Sequence, residues 1–122
     1  MPVTCRWIVC WVVVVVQLPA VAWGAGDAAK GKAMYEQFCA PCHGTSGKGD
    51  GPAAAALNPR PRDHTDAKYM ATLKDQDIFK VTKEGGAAVG KSPLMPPWGG
   101  QFTDQQIQDL VAYIRSLARR RQ

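Results

Sequence analysis

The sequence predicts an all-α fold of three main helices joined by loops rich in glycine and proline. No stretch of the 122 residues alternates apolar and polar side chains in the way that a half-buried strand does. Three segments instead carry helical signals, over residues 28–39, 73–84 and 104–119. Most of the 12 glycines and 9 prolines lie outside these segments, where they interrupt regular structure.

Each helical segment has a recognisable start. Asp27 is a suitable N-cap for the first segment. Thr72 and Asp75 have the spacing of a capping box at the second, and Thr103 and Gln106 have it at the third. The third segment also carries apolar residues at helical spacing, so one of its faces must be buried against a partner. These residues are Ile107, Leu110, Val111, Ile114, Leu117 and Ala118.

The N-terminus has the pattern of an export signal. Arg6 supplies a positive charge, residues 7–16 form an unbroken apolar run, and Ala20-Val21-Ala22 fits a cleavage site. The apolar run is shorter than the about 20 residues that a transmembrane helix needs. We therefore expect cleavage after Ala22, and an uncleaved membrane anchor is the alternative.

Cleavage would divide the chain into a signal peptide, residues 1–22, and one small domain, residues 23–122. Two of the 4 cysteines, Cys5 and Cys10, lie in the segment that would be removed. The net charge of +5 favours acidic partner surfaces. Because the basic residues are spread out, apart from a run at the C-terminal end, nucleic acid is not an expected partner.

The two remaining cysteines lie in the pentapeptide Cys39-Ala40-Pro41-Cys42-His43. Cys-x-x-Cys-His is the attachment sequence for a c-type haem. The two thiols can add to the two vinyl groups of one haem, and the adjacent imidazole of His43 can then bind the iron from one side. The sequence therefore predicts one covalently bound haem, around which the helices and their loops would wrap.

A second axial ligand would have to come from the opposite side of the haem. Met34 lies on the helix of the motif, five residues before Cys39, and is expected to pack in the core. Met95 is favoured, because the two prolines that follow it hold its loop extended and a thioether suits an electron-transfer haem. Met70 and His64 stay open as alternatives, and His64 is expected to be a surface loop residue.

Other uses of Cys39 and Cys42 fit the sequence less well. A structural zinc site needs four ligands, and only His64 remains to add to the motif. A thioredoxin-like redox pair needs a βαβ setting, which no strand pattern supplies. A disulfide between the two cysteines would leave His43 and the Met95 loop unexplained.

At these residues the sequence resembles the class I cytochromes c, over most of residues 27–118. Three stretches carry the resemblance. The first is G-K-x-x-Y-x-x-x-C-x-x-C-H, from Gly31 to His43; the second is the Met-Pro-Pro loop at Met95; the third is D-L-V-A-Y-I, over residues 109–114.

The resemblance implies the cytochrome c fold, in which the first and last helices cross closely around one haem. Gly31 and Tyr35 would then meet Leu110 and Tyr113. The physical sense of a glycine at this crossing is that another backbone can approach closely where no Cβ stands in the way.

The resemblance also implies roles for residues around the haem. Pro52 matches the proline whose carbonyl accepts a hydrogen bond from the proximal imidazole, a contact that fixes the orientation of the ring. Arg60 or Arg62 would pair with a haem propionate, and Trp98 would pack at the haem edge. The alternatives are ordinary solvation for the two arginines and core packing for Trp98.

With both axial positions filled by His43 and Met95, no site is left for a substrate. We therefore expect a periplasmic electron carrier and not an enzyme. It would be a monomer that docks transiently with redox proteins at the exposed haem edge. The lysines expected to steer acidic partners are Lys48, Lys74, Lys80, Lys83 and Lys91.

Residues 49–54 and 59–63 are similar to a small bacterial branch of the family, which contains free carriers and haem modules of oxidases and dehydrogenases. A haem subunit or membrane-tethered module of a larger oxidoreductase complex is therefore the main alternative. A haem sensor or peroxidase-like protein with an open sixth site is the remaining one.

Overall fold

The computed structural model describes Met1 and residues 24–120. Apart from Met1, the predicted export signal and its cleavage site lie outside the described residues. Within them, the α-helices are α1 (Ala28–Met34), α2 (Ala40–His43), α3 (Ala67–Met70), α4 (Asp75–Glu84) and α5 (Asp104–Arg119). A π-helical turn spans Tyr35–Cys39, and 3-10 turns span Ala54–Ala56, Ala87–Val89 and Trp98–Gly100. No strand occurs in this part of the chain, which confirms the all-α prediction.

The first predicted helix continues beyond its predicted end. The α1 helix, the π turn and α2 follow one another without a break from Ala28 to His43. Asp27 is the N-cap, as predicted, because its Oδ1 accepts hydrogen bonds from the amides of Ala29 (2.9 Å) and Lys30 (3.3 Å). The Cys-x-x-Cys-His motif thus lies at the C-terminal end of a capped helical segment and not on a loop.

The second main helix begins later than predicted and is capped differently. Lys74 is the N-cap of α4, and its amide donates to Asp77 Oδ2 at 2.7 Å. The Thr72 hydroxyl instead donates to the Tyr69 carbonyl at 2.7 Å. The predicted capping box of Thr72 and Asp75 is therefore wrong. The prediction failed because the sequence did not indicate the short helix α3. The C-terminal end of α3 binds the Thr72 hydroxyl, which is therefore not free to cap α4.

The third main helix matches its prediction closely. Thr103 and Gln106 form the predicted capping box, in which the Gln106 amide donates to Thr103 Oγ1 (3.2 Å) and the Thr103 amide donates to Gln106 Oε1 (2.9 Å). The apolar face of α5 is buried, and it forms the centre of the core. The buried core residues are Tyr35, Met70, Ile78, Leu110, Val111, Tyr113, Ile114, Leu117 and Ala118.

The α1 and α5 helices cross at the residues expected. Gly31 is buried in α1. Tyr35, the first residue after α1, packs its ring edge-on against Tyr113 of α5 with 5.1 Å between the ring centroids. Leu110 is fully buried at the same crossing. The Asp27 amide also donates to the buried carboxylate of Asp109 at 2.7 Å. This crossing fixes the helix that bears the motif against the C-terminal helix.

None of the described helices combines the length and the apolar character that crossing a bilayer requires.

Candidate functional site

The motif side chains lie where the first helical segment ends. Gly44 terminates α2 with a φ of 79°, in the left-handed region that favours glycine. A side chain at this position would also collide with Asp50, since a Cβ on Gly44 would lie 2.1 Å from the Asp50 Oδ1. The chain therefore turns sharply after His43 and leaves the motif beside a cleft.

The cleft is large and mostly apolar. It encloses about 1130 Å³ of space, its solvent-open mouth included. The predicted site residues that line it are Cys39, Cys42, His43, Arg60, Arg62, Met95 and Trp98. The other apolar and aromatic lining residues are Tyr35, Phe38, Leu57, Pro59, Pro61, Tyr69, Ile78, Val81, Leu94, Pro96, Leu110 and Ile114.

Both thiols of the motif are free and half-buried. Burial, with a smaller effect of the neighbouring Cys42, raises the pKa of the Cys39 thiol to about 12. Both cysteines border the cleft, in largely apolar surroundings.

The imidazole of His43 is held in one tautomer. Its Nδ1 lies 3.1 Å from the Arg62 carbonyl oxygen, and because a carbonyl can only accept, Nδ1 must donate. Burial lowers the pKa of His43, and the hydrogen bond to the Arg62 carbonyl opposes that effect. In the neutral ring, Nε2 then carries the free lone pair, which is the form that binds a metal.

The carbonyl that accepts this hydrogen bond is not the one predicted. Pro52 was expected to supply it, but Pro52 is exposed and does not line the cleft. The reason is that the loop after the motif packs against the end of the helix. The Gly51 amide donates to the Cys42 carbonyl (3.1 Å), and the Ala53 amide donates to the Pro41 carbonyl (3.0 Å). The Arg62 carbonyl from the following loop takes the place expected for Pro52.

Met34, Met70 and Met95 differ in whether they lie at the cleft or in the core. Among the methionines of the described residues, only Met95 lines the cleft. Met70 is 2 % exposed and belongs to the core, and Met34 packs against that core. The Met95 backbone is held at both of its polar groups: its amide donates to the Ser92 carbonyl (3.2 Å), and its carbonyl accepts from the Gly86 amide (3.0 Å).

His64 does not occupy the surface position expected for it. Its ring stacks on His43 with 4.3 Å between centroids and 16° between planes, and its Nδ1 lies 3.0 Å from the Tyr35 Oη. Burial lowers the pKa of His64 well below its ordinary value, with smaller contributions of the same sign from His43 and Arg62. Because His64 lies against the face of the His43 ring, this arrangement does not place it across an iron bound at His43 Nε2.

Arg60, Arg62 and Trp98 all border the cleft. The guanidinium of Arg62 lies 3.8 Å above the centre of the Tyr69 ring, a cation–π contact that fixes the side chain. Arg60 is exposed. Both arginines can therefore present positive charge at the cleft, where an anionic group of a bound ligand would meet it.

An aromatic cluster that includes the lining residues Phe38 and Trp98 was not predicted from the sequence. Trp98 stacks on Phe102 with 5.5 Å between centroids, and Phe38 packs edge-on against both rings, at 5.7 Å from Trp98 and 5.2 Å from Phe102. Phe38 directly precedes Cys39, and this position beside the motif was the only feature of the sequence that could have indicated the cluster. The cluster provides a rigid apolar wall for a large flat ligand.

The donor set and the shape of the cleft fit a covalent haem. Two thiols, an imidazole with its Nε2 lone pair free and a thioether belong to the residues that line the cleft, and apolar and aromatic side chains supply most of its walls. A flat, largely apolar macrocycle with two reactive vinyl groups and an iron centre satisfies all of these groups together.

Comparison with known proteins agrees with this fit. Residues 28–118 match the family model described as Cytochrome c. The chain belongs to the cytochrome c family. It is 35% identical over 97 residues to cytochrome c-554(547) of Halothiobacillus neapolitanus, a match that covers 76% of this chain and 99% of that protein.

This cytochrome c is also similar to parts of longer proteins. It is 31% identical over 109 residues to the cbb3-type cytochrome c oxidase subunit CcoP of Azospirillum sp. (strain B510), covering 84% of this chain and 33% of that subunit. Among solved structures, the KustC0563 c-type cytochrome matches with a TM-score of 0.57 and 27% identity, over 71% of this chain and 95% of the other. The chain thus spans about a third of the CcoP subunit that it matches.

Family and site together define the chemistry of this cytochrome c. It is a monohaem c-type cytochrome that transfers electrons, and its haem c is bound covalently at the motif of Cys39, Cys42 and His43. When bound, the haem supplies an iron that accepts and releases one electron. The protein supplies the attachment, the orientation of the imidazole and an apolar enclosure.

Proposed function

We propose that this cytochrome is a carrier of single electrons whose haem iron is held by His43 on one side and Met95 on the other. The observation that carries the proposal is that Met95 is the one methionine of the described residues that lines the cleft. A thioether ligand raises the reduction potential of a c-type haem relative to harder ligands. The same pair of ligands leaves no iron position open to a substrate, so the protein is a carrier and not an enzyme.

The fixed backbone of Met95 supports this role. Hydrogen bonds to Ser92 and from Gly86 hold its backbone, and the prolines at 96 and 97 stiffen the residues that follow. A Cβ on Gly86 would lie 2.1 Å from the Ser92 carbonyl oxygen, so the two segments of this loop that contain Gly86 and Ser92 are in direct contact. A ligand on such a loop changes position little between oxidation states, which favours fast electron exchange.

The proposed location is the periplasm, with residues 1–22 as a cleaved export signal and residues 23–122 as the haem domain. Arg6, the apolar run 7–16 and the Ala20-Val21-Ala22 sequence are the support for it. The mass of the purified protein tests this division, because cleavage after Ala22 and one covalent haem give one expected value. A mass that includes residues 1–22 would instead support the tethered form.

Partners would be redox proteins with acidic surfaces that dock at the open edge of the cleft, with the cytochrome acting as a monomer. Of the five lysines predicted to steer them, Lys91 lines the cleft, whereas Lys83 is paired with Asp104 at 2.7 Å. Leu94, beside Met95, is 63% exposed at the same edge. An apolar spot with a nearby positive charge is suited to brief, weak encounters.

A second candidate is a haem subunit or module of a larger oxidoreductase complex. The similarity to the CcoP subunit favours it, since the match covers a third of a subunit named for a cbb3-type oxidase. The haem chemistry would be the same in both cases. Co-purification of the native cytochrome with an oxidase would support the complex, and recovery as a free protein of about 100 residues, the length left by signal cleavage, would support the carrier.

The experiment that tests the ligand assignment compares Met95→Ala with Met70→Leu. Ferric wild-type protein and Met70→Leu should show the absorption band of an iron–sulfur bond, and their ferrous forms should not bind carbon monoxide. Met95→Ala should lose the band, bind carbon monoxide and have a lower reduction potential. A band that persists in Met95→Ala would refute the assignment, and carbon monoxide binding by the wild type would support a sensor or peroxidase-like protein.

A further inference from the structure

The stacking of His64 on His43 has no role in the function derived so far. The two rings come from different parts of the chain, His43 from the end of α2 and His64 from the loop before α3. They lie nearly parallel, with 16° between planes and 4.3 Å between centroids. His64 therefore covers one face of the ring that bears the free Nε2 lone pair.

The backbone at His64 is held to the loop that follows the motif. Its amide donates to the Gly47 carbonyl at 2.7 Å. Gly47 is itself tightly enclosed, since a Cβ built on it would lie 2.7 Å from a methyl carbon of Leu117 and 3.5 Å from the Cβ of His64. His64 is thus hydrogen-bonded to a loop that packs against Leu117 of α5.

The side chain of His64 is anchored by Tyr35. The Tyr35 Oη lies 3.0 Å from His64 Nδ1, and the two rings meet edge-on with 5.8 Å between centroids. Tyr35 is fully buried and packs against Tyr113 at the crossing of the first and last helices. Burial, with smaller contributions led by Cys39, raises the pKa of Tyr35 well above its ordinary value, so its hydroxyl proton is retained and available for this hydrogen bond.

His43 is consequently restrained in two directions. The Arg62 carbonyl accepts from its Nδ1 and fixes the edge of the ring, and the stacked ring of His64 blocks rotation toward one face. An edge contact alone leaves the ring free to swing about its hydrogen bond. A face contact removes that freedom, as other outer contacts do for metal-bound imidazoles.

We propose that His64, anchored by Tyr35, is a positioning residue that fixes the rotation of the His43 imidazole and thereby tunes the haem. This inference rests on the proposed function, because it takes His43 as an axial ligand. The orientation of an axial imidazole determines how it overlaps with the iron orbitals. It should therefore affect the unpaired-electron distribution in the ferric haem and the reduction potential.

The test uses haem-loaded protein and three variants that dissect the contact. His64→Ala removes both the stacked ring and its anchor, whereas His64→Phe and Tyr35→Phe keep both rings and remove only the hydrogen bond. The readouts are the paramagnetically shifted haem-methyl proton resonances of the ferric form, the midpoint potential and the thermal unfolding midpoint. Ile107→Val, a buried change with no place in the cleft, is the control for lost stability.

We expect His64→Ala to alter the spread or order of the haem-methyl shifts and to move the potential, and His64→Phe and Tyr35→Phe to do so less. Ile107→Val should lower only the unfolding midpoint. Wild-type shifts and potential in His64→Ala would overturn the proposal, as would an equal change in Ile107→Val. If His64→Ala does not retain haem, His64→Leu, which removes the stacked ring but fills its space, decides: wild-type shifts and potential in His64→Leu overturn the proposal.

The two proposals fail in different ways. Failure of the Met95 assignment appears as an iron–sulfur band that is missing in the wild type or that persists in Met95→Ala, and it leaves the comparison of haem-methyl shifts intact. Failure of the His64 proposal appears only in the variants, while the wild-type band is present. One set of proteins therefore separates an error about Met95 as a ligand from an error about the contact between His64 and His43.

Discussion

Gly31 lies so close to the backbone of Asp109 that a Cβ built on it would be 2.0 Å from the Asp109 carbonyl oxygen. The same Cβ would lie 3.0 Å from the Cβ of Tyr113. The backbones of α1 and α5 are therefore in contact, and Tyr35, one helical turn after Gly31, continues the contact with Tyr113. The motif helix is held by this crossing.

Gly31→Ala should separate the two helices and destabilise the haem-loaded protein by about 3 kcal/mol, the upper part of the usual range for overpacking. Backbone atoms on the opposing helix cannot move aside as a flexible side chain could. Denaturant unfolding followed by far-UV circular dichroism measures the change. Gly100→Ala is the matched control, since a Cβ at Gly100 meets no atom within 4 Å. Equal stability of the two variants would contradict a tight crossing.

The crossing was expected because the sequence resembles the class I cytochromes c, in which the first and last helices meet at these positions. The periodicity of α5 by itself identifies only the face of that helix that is buried. The position of His64 was not predictable in this way, because it results from contacts with Tyr35 and His43, distant in the sequence. The same is true of the Arg62 carbonyl, because every residue has a carbonyl and no side-chain pattern indicates which one a loop will bring to His43.

Arg115 connects α5 to the turn between α3 and α4. Its Nη1 and Nη2 donate to the carbonyls of Met70 and Leu73, and its Nε donates to Asp75 Oδ1 at 2.6 Å. Arg115→Met should leave the two carbonyls without these donors and cost about 2 kcal/mol of unfolding free energy. Asp75→Asn is the control, because its carboxylate is 71% exposed and such a pair contributes less than about 1 kcal/mol.

Thermal or denaturant unfolding of both variants checks this difference. The predicted order is wild type, then Asp75→Asn close to it, then Arg115→Met clearly lower. If Asp75→Asn loses as much stability as Arg115→Met, the ion pair is the important contact and the carbonyl hydrogen bonds are not.

Replacement of the motif cysteines should abolish covalent haem. In Cys39→Ala with Cys42→Ala, no haem should remain on the polypeptide in a denaturing gel stained for haem peroxidase activity. The wild-type protein, with both motif thiols present, should keep the stain. Haem that stays attached in the first variant would mean that another residue forms the bond.

Loss of the haem should also unfold most of the domain. The cleft that it fills is bordered by core residues of α4 and α5, including Ile78, Leu110 and Ile114, so an empty cleft would expose them to water. A ligand that binds only the folded state stabilises that state, and its removal withdraws the stabilisation. The haem-free motif variant should therefore have a weak helical circular dichroism signal and poorly dispersed amide proton resonances. Well-dispersed resonances would show that the polypeptide folds without haem.

The charge at the cleft edge should control the rate of electron transfer with anionic reagents. Lys91 is exposed and lines the cleft, whereas Lys30, also exposed, lies on α1 away from it. Lys91→Glu should slow oxidation of the ferrous protein by hexacyanoferrate(III) by about tenfold at low ionic strength. Lys30→Glu makes the same change in net charge and should have a much smaller effect.

Stopped-flow measurements over a range of salt concentrations should show the difference between the two variants shrinking as the screening length falls to about 10 Å at 0.1 M. Equal slowing in both variants would mean that net charge, and not its position at the cleft, determines the rate.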